Sequence, residues 1–223
     1  MKQILNNGRG RKLKEKIKEI VTKNFKWLIL FVCLIGFLAL AEDVFNKEIM
    51  NGDIIGYKII STFLISDFVT PIAKFITNFG GAIFIAVITI ILLILIKDKK
   101  IAFSIPINLA IITVLNQVLK RILQRPRPSE FRIVEESGYS FPSGHSMVSM
   151  AFYGYLIYLI YKHIKNKYVK WTLIGLLSVL ICCIGISRIY LGVHYTSDVL
   201  AGFLLSLSYL MVYITAADKI INK

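Results

Sequence analysis

The sequence predicts an all-α integral membrane protein, a bundle of six transmembrane helices with an extra outward-facing amphipathic segment. Three observations predict it. The chain has 223 residues, 56% of them hydrophobic, and a mean hydropathy of +0.68, more apolar material than a soluble domain of this size usually covers with polar surface. Its charges are gathered in blocks between long apolar stretches, as in chains that cross a bilayer repeatedly. The basic residues are also shared unevenly among those blocks.

The elements follow in order. Residues 1–26 form a basic tail. Residues 27–217 form one six-span domain, and 218–223 a second short tail. The apolar segments are Trp27–Ala41, Ala82–Ile96, Ile101–Leu119, Ser146–Tyr161, Trp171–Ile186 and Val199–Ala216. Several fall short of the ~20 residues that a spanning helix needs, so their ends extend into flanking residues. A seventh stretch, Ile54–Ile76, is interrupted by Lys58, Asp67, Pro71 and Lys74 and reads as a segment lying on the membrane surface.

An even number of spans puts both termini on one side. The two tails and the loops Lys97–Lys100 and Lys162–Lys170 hold 18 basic residues and four acids, whereas the other three loops hold nine of each. Basic loops stay cytoplasmic, so both termini are expected there, in a multi-pass protein of the cell membrane. The start, basic residues followed by an apolar run and Ala39-Leu40-Ala41, also resembles a cleavable signal peptide. Its 26-residue basic lead is long for that purpose, and a retained anchor is the expectation.

A net charge of +14 raises nucleic acid as a partner, but basic residues flanking apolar spans are better explained by topology, and no nucleic acid is expected. The expected partner is the lipid bilayer itself. Cys33, Cys182 and Cys183 all lie in apolar segments without ligand-like spacing to histidine, so neither a disulfide nor a metal site is expected.

Two outward loops carry the chemistry. The third span ends in Lys120-Arg121 and runs into Arg125-Pro126-Arg127-Pro128, which places five basic residues between Lys120 and Arg132 on the side that should be poor in them. For Arg121, Arg125 and Arg132 a solvated loop with interfacial anchors is sufficient explanation. Phe141-Pro142-Ser143-Gly144-His145 directly precedes the fourth span. Free N–H groups at a helix start, with the positive end of the helix dipole, make an anion cradle to which the Ser143 hydroxyl can add. The last loop runs from Ser187-Arg188 to His194-Tyr195-Thr196-Ser197-Asp198. If the sixth helix begins near His194, a spacing of four puts His194 and Asp198 on one face. Asp198 can then accept the Nδ1–H of His194 and leave Nε2 free and basic, as a histidine nucleophile requires.

Each feature alone has a bland explanation, as a capped helix, a stabilising His–Asp pair or interfacial cations. Their coincidence is what singles them out. Two of three histidines lie in outward loops, while His163 sits in a Lys-rich cytoplasmic loop. Lys120, Arg127 and Arg188 fall at the same membrane face, where such cations hold a phosphoryl group and stabilise its transition-state charge without a metal. Asn116 and Gln117 are expected to hydrogen-bond between helices.

Together these three stretches resemble the type 2 phosphatidic acid phosphatase family, which includes bacterial phosphatidylglycerophosphatases and undecaprenyl-diphosphate phosphatases. The family pattern is Lys, six residues, Arg-Pro; then Pro-Ser-Gly-His; then Ser-Arg, five residues, His, three residues, Asp. Lys120 with Arg127-Pro128, Pro142 to His145, and Ser187-Arg188 with His194 and Asp198 match every fixed position. The resemblance implies that His194 attacks phosphorus to form a phosphohistidine, which water later hydrolyses, and that His145 protonates the leaving group. It further implies that Asp198 orients His194, that Lys120, Arg127, Ser143, Gly144 and Arg188 hold phosphate oxygens, and that no cofactor takes part.

The substrate expected from this is a lipid phosphate: phosphatidylglycerophosphate, phosphatidic acid or undecaprenyl diphosphate, with a lean towards broad specificity over the first and last. Soluble vanadate-binding haloperoxidases share the motifs, by resemblance, but six spans argue against that reading. Lipid phosphotransferases of membranes share them too and remain an alternative. A small transporter would place polar residues inside its spans, whereas here the strongest polar set lies at span ends.

Overall fold

The computed structural model describes residues 2–47, 50–129 and 132–221; of residues 2–23 it describes the helical backbone alone. The described residues fold into eight helices, α1 (Lys2–Phe45), α2 (Asn51–Phe63), α3 (Val69–Asn78), α4 (Ala82–Leu95), α5 (Lys99–Leu123), α6 (Gly144–His163), α7 (Lys167–Tyr190) and α8 (Thr196–Ile221). No strand occurs among the described residues. The side chains of the basic tail up to Lys23, and Asn222 and Lys223 of the second tail, lie outside the description.

Each of the six apolar segments lies in its own helix: α1, α4, α5, α6, α7 and α8. Length and apolarity alone mark four of these as able to cross a bilayer, Asn24–Phe45 of α1, then α5, α7 and α8. Counting α3 and α4 together, across a 48° bend, adds a fifth. The shortfall from six has two physical causes. Helix α4 has only 14 residues, and α6 carries His145, Ser146, Ser149 and several tyrosines, which lower its apolarity. The expected single surface segment is two helices, α2 and α3, separated at Leu64–Phe68. Helix α8 runs to Ile221 and so absorbs most of the expected second tail.

The outside of the bundle is apolar. Phe31 and Ile35 of α1, Ile83 and Ile94 of α4, Phe103 and Val114 of α5, and Leu176 and Val179 of α7 are all exposed, a surface suited to lipid and not to water. Of the three unpaired cysteines, Cys33 is buried and Cys182 is exposed on this surface.

Inside, α6 is the central element, packed against α5, α7 and α8. Its core of Phe152, Tyr155 and Leu159 meets Ile85, Ile105, Ile181 and Leu210. Most polar groups buried there are paired, as a low-dielectric interior demands, though Asn108 Oδ1 has no partner among the described residues. Tyr155 shares a hydrogen bond of 2.8 Å with Ser104, Asn108 Nδ2 donates to the Ala151 carbonyl at 2.8 Å, and Ser206 donates to Met147 O at 3.0 Å. Tight turns on one side are closed by caps. Asp98 accepts from Lys100 N at 2.9 Å and Asn166 from Tyr168 N at 3.0 Å, each satisfying N–H groups left over at a helix start.

At the opposite side, the ends of α5 and α7 meet the starts of α6 and α8, under a long loop from Gln124 to Ser143. The loop is tied down by main-chain bonds from Ile133 N to Leu191 O (3.0 Å) and from Ser140 N to Arg125 O (2.9 Å). Phe141, fully buried, stacks on Phe37 of α1 with ring centres 6.1 Å apart. Helices α2 and α3 dock on this end, held by Tyr190 Oη through Ser66 and Thr70. The break between α3 and α4 needs Gly80: a β-carbon there would lie 2.7 Å from Ile184 Cγ2 and 3.1 Å from His145 Cδ2.

Candidate active site

His194 lies in the short connection between α7 and α8, and α8 starts two residues later than expected, at Thr196. The spacing of four still brings the pair together. His194 Nδ1 is 3.2 Å from Asp198 Oδ2, and both side chains are buried, 2% and 0% exposed. The tautomer follows from the other side of the ring. Arg127 Nη1 is 3.1 Å from His194 Nε2, and a guanidinium has only donors. Nε2 is therefore the acceptor and the proton sits on Nδ1, donated to Asp198. Burial pushes the His194 pKa down to about 4 despite the upward pull of Asp198, so the ring is neutral near pH 7, with its Nε2 lone pair available.

A polar cavity of about 450 Å³ lies in front of Nε2, lined among others by Lys120, Arg127, Gly144, His145, Arg188 and His194. Six of the eight residues singled out in the sequence thus converge on one space from four chain segments. The other two stand behind its wall. Asp198 backs His194, and Ser143 is the N-cap of α6, its Oγ accepting from Ser146 Oγ at 3.0 Å and from Ser146 N at 3.4 Å. Ser143 does not line the cavity; its main-chain N–H donates to Asp198 O at 3.0 Å and so ties the start of α6 to α8. Asn116 of α5 holds the same turn by donating to Pro142 O at 3.1 Å, the interhelical bond expected of it.

The cations are fixed by carbonyls and one acid. Arg127 donates to the main-chain carbonyls of Gly138 (3.0 Å), Ser137 (3.0 Å) and Val193 (2.9 Å). Arg188 donates to Thr77 Oγ1 at 2.9 Å and to Glu136 Oε1 at 2.5 Å; among the described residues its buried Nε has no partner. Lys120 Nζ donates to the Tyr139 carbonyl. Glu136 also approaches Arg127 at 3.7 Å. Burial works against the Glu136 charge, but Arg188 and then Arg127 outweigh it and hold the carboxyl below the usual carboxylate range. A carboxylate thus sits among donors suited to a phosphate.

Sequence reasoning missed three residues here. Glu136 stands in an unremarkable loop. Arg125, for which a solvated position seemed sufficient, is only 11% exposed and pairs with Asp198 at 2.7 Å and with Asp53 at 2.6 Å. Asp53, in the first turn of α2 just ahead of the expected surface segment, is 6% exposed. The available signal was an acid at the edge of an apolar run, which demands a partner if buried. Arg121 and Arg132 are both exposed, as expected.

A second, larger cavity of about 1080 Å³ borders His194 from another side, lined by Val44 and Phe45 of α1, Ile54 and Tyr57 of α2, Ile122 and Leu123 of α5, and Tyr195.

Fold and site together define a membrane-helix protein with a histidine–aspartate pair facing a cationic pocket. Comparison with known proteins gives the class a name: residues 101–221 match the family model of the PAP2 superfamily, and the chain belongs to it. A protein of Sulfolobus acidocaldarius named undecaprenyl-diphosphatase is 28% identical over 213 residues, covering 89% of this chain and 95% of its own. Phosphatidylglycerophosphatase B of Bacillus subtilis is 45% identical over 97 residues, 42% of this chain and 46% of that protein, so the match spans under half of that relative. Among solved structures, a crystal structure described as a transmembrane PAP2-type phosphatidylglycerolphosphate phosphatase from Bacillus subtilis superposes with a TM-score of 0.75 at 28% identity, covering 86% of this chain and 96% of that one.

Proposed function

We propose that the protein is a metal-independent lipid phosphatase that removes the terminal phosphate from a membrane lipid through a phosphohistidine on His194. The observation that carries this reading is His194 held between buried Asp198 at Nδ1 and Arg127 at Nε2, in the wall of a cavity also lined by Lys120, Arg188 and His145. The relatives' names support the substrate class, since each describes a phosphatase of a lipid phosphate.

In this mechanism Arg127 exchanges its contact with Nε2 for a phosphate oxygen, and Lys120 and Arg188 take others, with the main-chain N–H groups at the start of α6, including that of Gly144. Ser143 holds that start in place. Nε2 attacks phosphorus, the bond to the leaving oxygen breaks, and that oxygen takes a proton from His145. The cations supply the stabilisation of transition-state charge that a metal provides elsewhere. In the empty site burial, and after it Arg188, push the His145 pKa down to about 3. A phosphate dianion beside it favours the protonated form, so on substrate binding His145 takes up a proton from solvent, which it then gives to the leaving oxygen. Water then attacks the phosphohistidine, its proton passes to His145, the P–N bond breaks and inorganic phosphate leaves.

Six spans, formed by α1 and α4–α8, with both termini cytoplasmic and the site at the outer face, are part of the proposal. The distribution of basic loops supports it. So does the alternation that brings the ends of α5 and α7 and the starts of α6 and α8 to one face. The larger cavity beside His194 suits a lipid body, and its lining by Ile54 and Tyr57 supports a role for α2 in lipid access. Phosphatidylglycerophosphate, phosphatidic acid and undecaprenyl diphosphate all fit; we favour broad specificity over the first and last.

The test is phosphate release by purified protein from a panel of these lipids with EDTA present, beside His194→Ala. Turnover should survive chelation and fall on the order of 10³-fold or more in the variant. Turnover abolished by chelation, or a variant at wild-type rate, overturns the mechanism.

A further inference from the structure

We propose that Arg125 and Asp53, neither of them a fixed position of the three motifs, are positioning residues that hold the His194–Asp198 pair in its reactive geometry; this rests on reading His194 as the nucleophile. Asp198 has two oxygens and both are engaged. Oδ2 accepts from His194 Nδ1 at 3.2 Å and from the Tyr195 main-chain N–H at 2.9 Å. Oδ1 accepts from Arg125 Nη1 at 2.7 Å. A carboxylate gripped on both sides cannot rotate about its terminal bond, so the direction in which it receives the imidazole proton is fixed.

Arg125 is itself gripped. Its Nη2 donates to Asp53 Oδ2 at 2.6 Å and its Nη1 also to Ser197 Oγ at 2.7 Å, while the guanidinium lies over the Tyr195 ring, 4.0 Å from its centre. Asp53 in turn accepts from Ser197 N at 2.7 Å and Ser197 Oγ at 2.8 Å. The result is a buried chain of alternating charge, Asp53–Arg125–Asp198, running from α2 to the first turn of α8. Without Arg125 the fully buried Asp198 would have only a neutral histidine and main chain to offset its desolvation. Without Asp53, Arg125 would be free to turn towards other acceptors. Neither residue lines the phosphate cavity, although both line the larger cavity beside it, so their loss should be felt in the rate of chemistry and not in the binding of phosphate itself.

The experiment measures steady-state kinetics of the full-length protein in detergent with dioctanoyl phosphatidic acid. Arg125→Ala should lower kcat about 10- to 100-fold, the worth of one charge-assisted hydrogen bond, with the inhibition constant of inorganic phosphate changed less than about twofold. Arg125→Lys should recover part of that loss. Asp53→Asn, nearly isosteric, should lower kcat about tenfold and serves if Arg125→Ala does not fold. In an Asp198→Asn background either change should cost little more, because all act through one group. Unchanged kcat in Arg125→Ala or Asp53→Asn, a loss confined to KM, or full additivity with Asp198→Asn overturns the proposal. His194→Ala separates the two claims. If it retains activity the nucleophile reading fails, and if it alone is inactive while Arg125 and Asp53 variants match wild type, only the positioning role fails.

Discussion

Glu136 offers a sharp test of how the cationic cavity works, because it is an anion already seated there. Its carboxylate is 2.5 Å from Arg188 and 3.7 Å from Arg127, and the side chain is 32% exposed. A substrate phosphate needs the same donors and must displace it. Glu136→Gln keeps the shape and one hydrogen bond but removes the charge. A hydrogen bond to a charged group is worth about 1.5–3 kcal/mol and a neutral one about 0.5–1.5. The difference, taken at its low end because water reaches the pair, is about 1 kcal/mol, or roughly fivefold in affinity. KM for a short-chain lipid phosphate, and the inhibition constants of inorganic phosphate and orthovanadate, should all fall about fivefold. Competition assays in detergent with purified variant and wild type measure this directly. Unchanged or weakened inhibition by both anions would refute the displacement argument and make Glu136 a support for Arg188 instead.

Asp198→Asn should cut kcat on the order of 10²- to 10⁴-fold, since two charge-assisted bonds of about 1.5–3 kcal/mol each are lost or inverted; a loss under tenfold in steady-state assays would contradict its role. The histidines also set a pH dependence of stability. Burial holds His194 at about 4 and His145 at about 3, below the ~6.5 of an unfolded chain. Their neutral burial stabilises the fold fully above pH 6.5, and that contribution is lost as pH falls from there through 4. Thermal unfolding in detergent should show Tm dropping across that window, with a smaller drop in His145→Gln/His194→Gln; the same drop in both proteins would contradict the assignment. Finally, Ile54→Asp with Tyr57→Asp should impair activity on long-chain lipids more than on a short-chain analogue, and equal loss on both would count against α2 as part of lipid access.

Much of this was legible in the chain because the site is built from local signals. Lys120 and Arg127, the Pro142–His145 turn and the His194/Asp198 spacing each encode their geometry within a few residues of a helix end, and the six apolar segments each lie in one helix. What was not legible depends on distance. Asp53 and Arg125 are 72 residues apart, and nothing near either announces that folding will bury them together. The stretch that follows Asp53 looks like a surface segment because charges interrupt its apolar run, yet Asp53 at its edge is buried. Glu136 escaped notice because a loop acid acquires meaning only when Arg127 and Arg188 arrive from other segments. Ser143 shows what a motif leaves open: a residue matching it is, in this structure, the N-cap of α6.

The central claim is that His194 becomes covalently phosphorylated. His145→Ala, which slows release of poor leaving groups, can be mixed with a ³²P-labelled phosphate ester carrying a good leaving group, quenched in alkali and digested. The account predicts an acid-labile, alkali-stable label on the peptide containing His194, absent from His145→Ala/His194→Gln. Label that persists in the double variant, or none on His194 while single-turnover product forms, would contradict it.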